Sequence, residues 1–180
     1  MKICIYGAGA IGGYLGAKLA EAGVDVSLIA RGPHLAAMQK DGLRLNMNGE
    51  QIVTRPTCTS DPTELGPQDF IIVTLKAHSV AGVVPAMQPL LGADTAVVTA
   101  VNGVPWWYFH QLPSDWQDQR VASVDPGNVQ WDGIGPERAI GCVVYPACEI
   151  SAPGVIEHIE GNRFTLGEPS GEKTERVLAL

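Results

Sequence analysis

Short apolar runs, separated by glycine, proline and polar residues, recur along the chain. Five of them have the length and composition of strands in a covered sheet; they are residues 2–6, 24–30, 70–75, 95–101 and 140–145. The intervening patterns predict four helices. The first ends at Ala22, and the others cover residues 33–40, 78–91 and 106–112. Strands that alternate with helices in this way predict an α/β fold on a parallel sheet.

The remaining patterns are shorter. Residues 43–53 alternate around Asn48-Gly49, which predicts a hairpin with a two-residue turn. Residues 155–158 and 163–166 have the pattern of a closing antiparallel pair. Residues 114–138 show no clear periodicity.

A glycine motif of the form G-x-G-x-x-G directly follows the first strand and opens the first helix. Its residues are Gly7, Ala8, Gly9, Ala10, Ile11 and Gly12. Gly7 permits the tight turn, Gly9 allows backbone to approach a pyrophosphate, and Gly12 allows the helix to pack on the strand. The free N–H groups at the helix start would face the phosphates. This context predicts a Rossmann-type, doubly wound, mostly parallel sheet with helices on both faces, with a dinucleotide bound at residues 7–12.

The end of the second strand indicates which dinucleotide is bound. Sites that prefer NAD place a carboxylate there to hold the ribose hydroxyls. Here the position is taken by Arg31, and no acidic residue is near it in residues 27–32. A guanidinium can hold a 2′-phosphate bidentately, so the sequence favours NADP(H). The alternative is that Arg31 is an ordinary surface arginine at a strand end.

Two polar residues follow buried strands. Lys76 comes directly after residues 70–75, and Asn102 directly after residues 95–101. Ligands of doubly wound sheets bind beyond the carboxyl ends of the strands, so both side chains are predicted to face the nicotinamide half of the cofactor. The alternative for Lys76 is an ordinary solvated lysine in a loop. The alternative for Asn102 is a turn residue that suits the Asn-Gly geometry with Gly103.

Composition limits the classes of partner. A net charge of −7 over 180 residues disfavours nucleic acid and anionic membrane surfaces. No apolar run approaches the ~20 residues of a membrane span, and the first strand leaves no room for a signal peptide. The four cysteines lack C-x-x-C spacing and the four histidines lack a triad or metal spacing, so a cytoplasmic protein with reduced thiols is expected.

Several of these motifs together resemble the ketopantoate reductase (2-dehydropantoate 2-reductase) family. The similar segments, in chain order, are GAGAIG at 7–12, Arg31, TLKAHS at 74–79, VNGVPWW at 101–107, GCVVYPA at 141–147 and PGVIEH at 153–158. The resemblance covers almost the whole chain. It implies NADPH-dependent reduction of a small 2-keto acid to a 2-hydroxy acid, with 2-dehydropantoate and pantoate as the pair, on the route to pantothenate and coenzyme A.

The resemblance also implies roles for individual residues. Residues 7–12 would bind the pyrophosphate and Arg31 the 2′-phosphate. Lys76 and Asn102 would lie by the nicotinamide ribose, with Asn102 also near the substrate. Cys148, placed in a turn after the strand at 140–145, would line the cofactor pocket.

The family pattern further implies a second, mostly helical domain that supplies a catalytic lysine and often mediates pairing into a homodimer. Residues 172–180 have a helical pattern that ends on Leu-Ala-Leu without a cap, so we expect the natural protein to continue past Leu180. Residues 1–167 would then form the NADP-binding domain, and residues 168–180 would start the helix that leads to the absent domain.

Three other interpretations are open at this stage. A regulatory or redox-sensing module could bind a dinucleotide without catalysis, although such modules tend to keep an acidic residue where Arg31 stands. A methyltransferase that uses S-adenosylmethionine would also need a carboxylate there. A protein that truly ended at Leu180 would bind NADP(H) without turnover.

Overall fold

A computed structural model describes residues 1–180, which form eleven strands and six α-helices. The strands are β1 (Lys2–Tyr6), β2 (Asp25–Ile29), β3 (Leu43–Met47), β4 (Glu50–Thr54), β5 (Thr57–Thr59), β6 (Gln68–Val73), β7 (Leu91–Thr99), β8 (Ala139–Val144), β9 (Ala147–Ala152), β10 (Val155–Glu160) and β11 (Phe164–Gly167). The helices are α1 (Ala10–Glu21), α2 (Gly32–Asp41), α3 (Ala77–Val80), α4 (Val84–Met87), α5 (Val129–Ile134) and α6 (Glu175–Leu178). None of the helices has the length and hydropathy needed to cross a membrane.

Seven strands form the main sheet in the order β11-β8-β7-β6-β1-β2-β5. All neighbouring pairs are parallel except β11 and β8. The chain moves outward from β1 through β2 to β5, then returns to the other side of β1 at β6 and continues outward. This reversal confirms the predicted doubly wound sheet and creates a crevice between the carboxyl ends of β1 and β6.

The second sheet has four strands in the order β4-β3-β10-β9 and covers α1 from the side opposite the main sheet. Helix α1 lies between the two sheets, and glycines on both of its sides allow each sheet to pack close to the helix backbone. A Cβ added at Gly16 would lie 2.8 Å from Leu28 in the main sheet, and one at Gly13 would lie 2.7 Å from Ile156 in the second sheet. The short-range sequence patterns did not predict this second sheet.

The core lies on both faces of the main sheet, since alternate residues of its strands point to opposite sides. On one face Ile3 and Ile5 pack with α1 and the second sheet. On the other face Cys4 and Ile71 pack with Val84 of α4 and the turns around it. The sheet is therefore covered on both faces, as the uninterrupted apolar strands predict.

The predicted hairpin is confirmed, whereas the closing pair is wrong. Strands β3 and β4 pair antiparallel, with both turn residues, Asn48 and Gly49, at positive φ (54° and 81°). Strand β10 instead pairs with β9 and β3 in the second sheet, while β11 pairs with β8 in the main sheet. The fully buried Ile156 holds β10 against α1, and the chain changes sheets at Gly161.

Two predicted helices also differ from the structure. Residues 78–91 form short helical pieces rather than one helix, because Pro85 and Pro89 each begin a new piece. Residues 106–112 form consecutive turns and not a helix. Trp106 is buried in the core on the side of α4 and α5, so tertiary packing and not helical periodicity explains this residue.

A partly buried ion pair holds residues 168–178 against the main sheet. The Glu168 side chain is 4% exposed and accepts two hydrogen bonds from Arg176, at 2.6 and 2.7 Å, and a third from Thr174. Arg176 also donates to the carbonyl of Glu137 at 2.9 Å, next to the start of β8. The hydrogen bonds from Arg176 lower the pKa of Glu168, with burial acting in the opposite direction.

We predict that Arg176→Ala destabilises the fold by about 1–3 kcal/mol, because it leaves the buried Glu168 carboxylate without its charged partner, while the 35% exposure of Arg176 screens part of the interaction. The pKa of Glu168 is lowered in the folded state, so its contribution is present above the unfolded value of about 4.3 and is lost as pH falls through the folded value. Urea unfolding at a series of pH values should therefore show the difference between wild type and variant shrinking in acid.

Lys18→Ala is the matched control, since Lys18 forms an exposed ion pair with Glu21 on α1. It should cost about 0.5 kcal/mol or less. A loss for Arg176→Ala that equals the control, or that does not change with pH, would contradict the role assigned to the Glu168 pair.

Candidate functional site

A cleft of about 820 Å³ opens at the carboxyl ends of β1, β2, β6 and β7, where the strand order reverses. Its walls are formed by the loop after β1, the start of α2, the α3–α4 segment and the edge made by β8 and β9. Although the chain carries a net charge of −7, no Asp or Glu lines this cleft, whereas Arg31 and Lys76 do. The cleft therefore favours an anionic ligand within an acidic protein.

The glycine-rich loop forms the floor of the cleft and the start of α1. Gly9 is the N-cap residue and has no side chain to cap the helix. The amides of Ala10 and Ile11 donate to no acceptor in the protein, so the first turn presents free N–H groups. A twelve-residue helix with an uncapped N-terminus at a cleft has the geometry of an anion site.

Close packing fixes the shape of this loop. Gly7 has a φ of 108°, and a Cβ there would lie 2.5 Å from Leu75. A Cβ at Gly12 would overlap the Gly7 carbonyl oxygen and lie 2.5 Å from the Thr74 hydroxyl. That hydroxyl donates to the Gly7 carbonyl at 2.7 Å, so the end of β6 holds the loop in place. Gly12 does not line the cleft, although residues 7–12 were all expected to bind the pyrophosphate; its close contacts leave it the packing role that the motif also predicts.

The structure places Arg31 at the end of β2 as the N-cap residue of α2. Its side chain is exposed, lines the cleft and forms no ion pair with a carboxylate. Ser60, which follows β5, lines the same end of the cleft and was not singled out from the sequence. A free guanidinium beside a hydroxyl is suited to a phosphate group.

Lys76 also lies at the cleft, directly after β6 and before α3. It is exposed and forms no ion pair. The segment that follows contributes Ser79, Val83 and Ala86 to the cleft wall. Lys76 is therefore an exposed, unpaired positive charge beside a largely apolar wall.

Asn102 lines the cleft, and its amide is paired with backbone. Its Nδ2 donates to the Val144 carbonyl at 3.1 Å, and its Oδ1 accepts from the Val144 amide at 3.1 Å. The side chain thus bridges the end of β7 to the end of β8, a role that the sequence did not indicate. One Nδ2 hydrogen and one Oδ1 lone pair are left for a ligand.

Cys148 lines the cleft too, but it lies in β9 and not in the turn expected after residues 140–145. Burial raises the pKa of its thiol to about 11, so the thiol is protonated at neutral pH. A protonated, half-buried thiol is a packing group and a poor nucleophile.

His34, on the first turn of α2, is a cleft residue that sequence reasoning passed over. Its Nδ1 accepts a hydrogen bond from the Gly154 amide at 3.0 Å, and its Nε2 is buried without a hydrogen-bond partner. Burial lowers the pKa of His34, and the Ala8 carbonyl acts in the opposite direction. The sequence assigned no role to His34, because the four histidines lack the spacing of a catalytic triad or of metal ligands.

Comparison with known proteins identifies related chains. The family Ketopantoate reductase PanE/ApbA matches residues 3–171. A 2-dehydropantoate 2-reductase from Mesorhizobium japonicum is 55% identical over the full chain, which spans 56% of that relative. A crystal structure from Ralstonia solanacearum MolK2, provisionally named a ketopantoate reductase, is 44% identical with a TM-score of 0.93 and is matched over 99% of this chain and 55% of its own.

A 2-dehydropantoate 2-reductase from Geobacter metallireducens GS-15 shares the fold at 26% identity, with a TM-score of 0.80 and coverage of 99% of this chain and 53% of its own. The chain thus spans about half the length of the relatives it matches.

We predict that alanine at one glycine of the loop lowers the stability of the fold and that alanine at another leaves it unchanged. Gly12→Ala should destabilise the fold by about 1–3 kcal/mol, because the new methyl group would overlap the Gly7 carbonyl. Gly9→Ala should leave stability nearly unchanged, since the nearest atom to its Cβ is 4.0 Å away and its φ is −77°. Thermal unfolding measures both, and equal melting temperatures would contradict the packing role of Gly12.

Proposed function

The chain belongs to the ketopantoate reductase family, and we propose that its protein uses NADPH to reduce a 2-keto acid. The proposed substrate is 2-dehydropantoate and the product is pantoate, as the name of the Mesorhizobium japonicum relative indicates for that protein. Within this reaction the chain supplies the cofactor-binding half.

The observation that carries the proposal is the cleft at the sheet reversal, with free amides on its floor and no acidic wall. The space above Gly9 is open, so a pyrophosphate can approach the backbone as closely as the motif requires. The residues present therefore fit a dinucleotide, whose phosphates would accept from the amides of Ala10 and Ile11. The adenosine half would extend toward Arg31 and the nicotinamide half toward Asn102.

Arg31 supports NADPH over NADH. It stands where a carboxylate would hold the ribose hydroxyls of NAD, and its guanidinium has no partner in the protein. Two parallel N–H groups can hold the 2′-phosphate of NADPH bidentately. Ser60 is placed to add a hydroxyl donor to the same phosphate.

We assign the other cleft residues to orientation. Lys76 would donate to ribose or carboxamide oxygens, and Asn102 would use its remaining hydrogen and lone pair on the nicotinamide ribose and the substrate. Because Asn102 also holds the Val144 backbone, it fixes the cleft wall against which the nicotinamide ring would lie. Cys148 would line this wall and stay protonated.

The cofactor, when bound, supplies the hydride, and the protein positions it and stabilises the developing alkoxide. The alkoxide needs a proton donor, and Lys76 and the Cys148 thiol are assigned to binding and packing. We propose that a lysine in a second, helical domain protonates the alkoxide, and that residues 168–180 lead to that domain. Residues 1–167 would then be the cofactor-binding domain.

We predict that Arg31→Ala lowers the affinity for NADPH by about ten- to a hundredfold, the value of a charged hydrogen bond of about 1.5–3 kcal/mol. Its affinity for NADH should change little, because NADH lacks the 2′-phosphate. Calorimetric titration with both nucleotides gives the two affinities directly.

Lys40→Ala is the matched control, since it removes a positive charge from the exposed end of the same helix, outside the cleft. It should leave both affinities within about twofold, by the small value of exposed charges. Equal affinity of the wild type for NADPH and NADH, or equal losses in Arg31→Ala and Lys40→Ala, would contradict the assignment of Arg31.

We also predict that Gly9→Ala lowers the affinity for NADPH and NADH alike, by about tenfold or more, because its methyl group occupies the approach of the pyrophosphate. The folded protein has room for that methyl group, so the loss should appear without a change in melting temperature. A variant that binds both nucleotides as wild type does would show that the phosphates do not lie over Gly9.

A further inference from the structure

The loop that carries Asn102, residues 101–104, follows β7 without support from backbone hydrogen bonds. The Ala100 amide, just before the loop, donates to the Val73 carbonyl at 3.0 Å. Within residues 101–104 no amide or carbonyl pairs with another backbone group. Gly103 has a φ of 113°, and a Cβ there would meet nothing within 4 Å. Side chains must therefore hold this loop in place.

Trp107 holds the far end of the loop on β8. Its indole Nε1–H donates to the Thr99 hydroxyl at 3.1 Å, and that hydroxyl donates to the Ile140 carbonyl at 3.2 Å. The ring also packs on Gly141, where an added Cβ would lie 2.9 Å from the indole carbon Cη2. A hydrogen-bond chain and a close packing contact thus attach the indole to two consecutive residues of one strand.

The contact between Thr99 and Trp107 also closes the loop at its base. Thr99 is the last residue of β7 and Trp107 comes after the loop, so their hydrogen bond joins the two ends of residues 100–106. Closing a short segment in this way reduces the number of conformations open to Asn102 within it.

The side chain of Asn102 is attached to the same strand, at Val144. It exchanges two hydrogen bonds of 3.1 Å with the Val144 backbone, and both bonds are exposed to solvent. Water competes with exposed hydrogen bonds, so this pair alone holds the loop only weakly. The loop is therefore fixed on β8 at two points, by Trp107 at residues 140–141 and by Asn102 at Val144.

We propose that Trp107 is a positioning residue for Asn102, which it holds at the nicotinamide end of the cleft through its contacts with Thr99 and Gly141. This inference rests on the proposed function, because it takes Asn102 to contact the nicotinamide ribose and the substrate. Trp107 does not line the cleft, so its effect on a ligand passes through the loop.

Two matched alanine substitutions test this role. Gly141→Ala keeps every polar group and displaces the indole, whereas Gly167→Ala adds a methyl group at the paired position of β11, where nothing lies within 4 Å. Calorimetry gives the affinities of both variants for NADPH and for adenosine 2′,5′-bisphosphate, which carries the 2′-phosphate but no nicotinamide. The side-chain amide signals of Asn102 in NMR spectra of the free protein report its pairing with Val144.

We expect Gly141→Ala to bind NADPH about two- to tenfold more weakly, the loss of one hydrogen bond, and to bind the bisphosphate as wild type does. The side-chain amide signals of Asn102 should shift, and their protons should exchange faster with solvent. Gly167→Ala should change none of these quantities. In an Asn102→Ala background, Gly141→Ala should cause no further loss of NADPH affinity, because the group that Trp107 positions is gone.

Two substitutions at Thr99 test the same contact without a change at Gly141. Thr99→Val removes the hydroxyl that joins the indole to the Ile140 carbonyl, so it should reproduce the selective loss of NADPH affinity. Thr99→Ser keeps the hydroxyl and should bind NADPH as wild type does.

Unchanged NADPH affinity in Gly141→Ala or in Thr99→Val, or an equal loss for the bisphosphate, would overturn the positioning role alone. A further loss in the Asn102→Ala background would do the same, because the effect would not pass through Asn102. Wild-type affinity for NADPH in Asn102→Ala itself would overturn the assignment of Asn102 and this inference together. A wild-type protein that binds no NADPH would overturn the proposed function as well.

Discussion

The close approach of α1 to the Gly7 carbonyl is the constraint on which the cleft depends. It requires a residue without a Cβ at position 12, where Gly12 stands. The Thr74 hydroxyl donates a hydrogen bond to the same carbonyl at 2.7 Å. Together these contacts bring the uncapped first turn of α1 to the carboxyl edge of the main sheet. The free amides there, in a cleft without acidic walls, have the geometry of an anion site in a protein of net charge −7.

The second sheet makes this arrangement rigid. Helix α1 is enclosed between two layers, with Gly13 against Ile156 on one side and Gly16 against Leu28 on the other. The same sheet reaches the cleft through the turn at Gly154, which bonds to His34. The glycine-rich loop is therefore supported from both sides, which holds its backbone in one geometry.

Strands β1, β2, β6, β7 and β8 of the main sheet and the glycine-rich loop could be predicted because their signals are local. Apolar strands such as β6 carry a short-range pattern, and a glycine motif between strand and helix has one established geometry. The second sheet could not, since β10 joins β3 across more than a hundred residues and its edge strand β9 is exposed. The pairing of Asn102 with Val144 and the contacts of His34 are likewise long-range. The position of Asn102 after a predicted strand placed it at the cleft, but nothing local indicated its pairing or the place of His34.

The central claim is that a dinucleotide lies across this cleft with its pyrophosphate on the first turn of α1. Amide chemical shifts of the isotope-labelled protein during titration with NADPH test it most directly. We predict the largest changes at Ala10 and Ile11, with further changes at Arg31 and Asn102. The contradicting result would be an unperturbed loop with changes confined elsewhere, such as the separate groove of about 610 Å³ near Arg55 at the far end of α1.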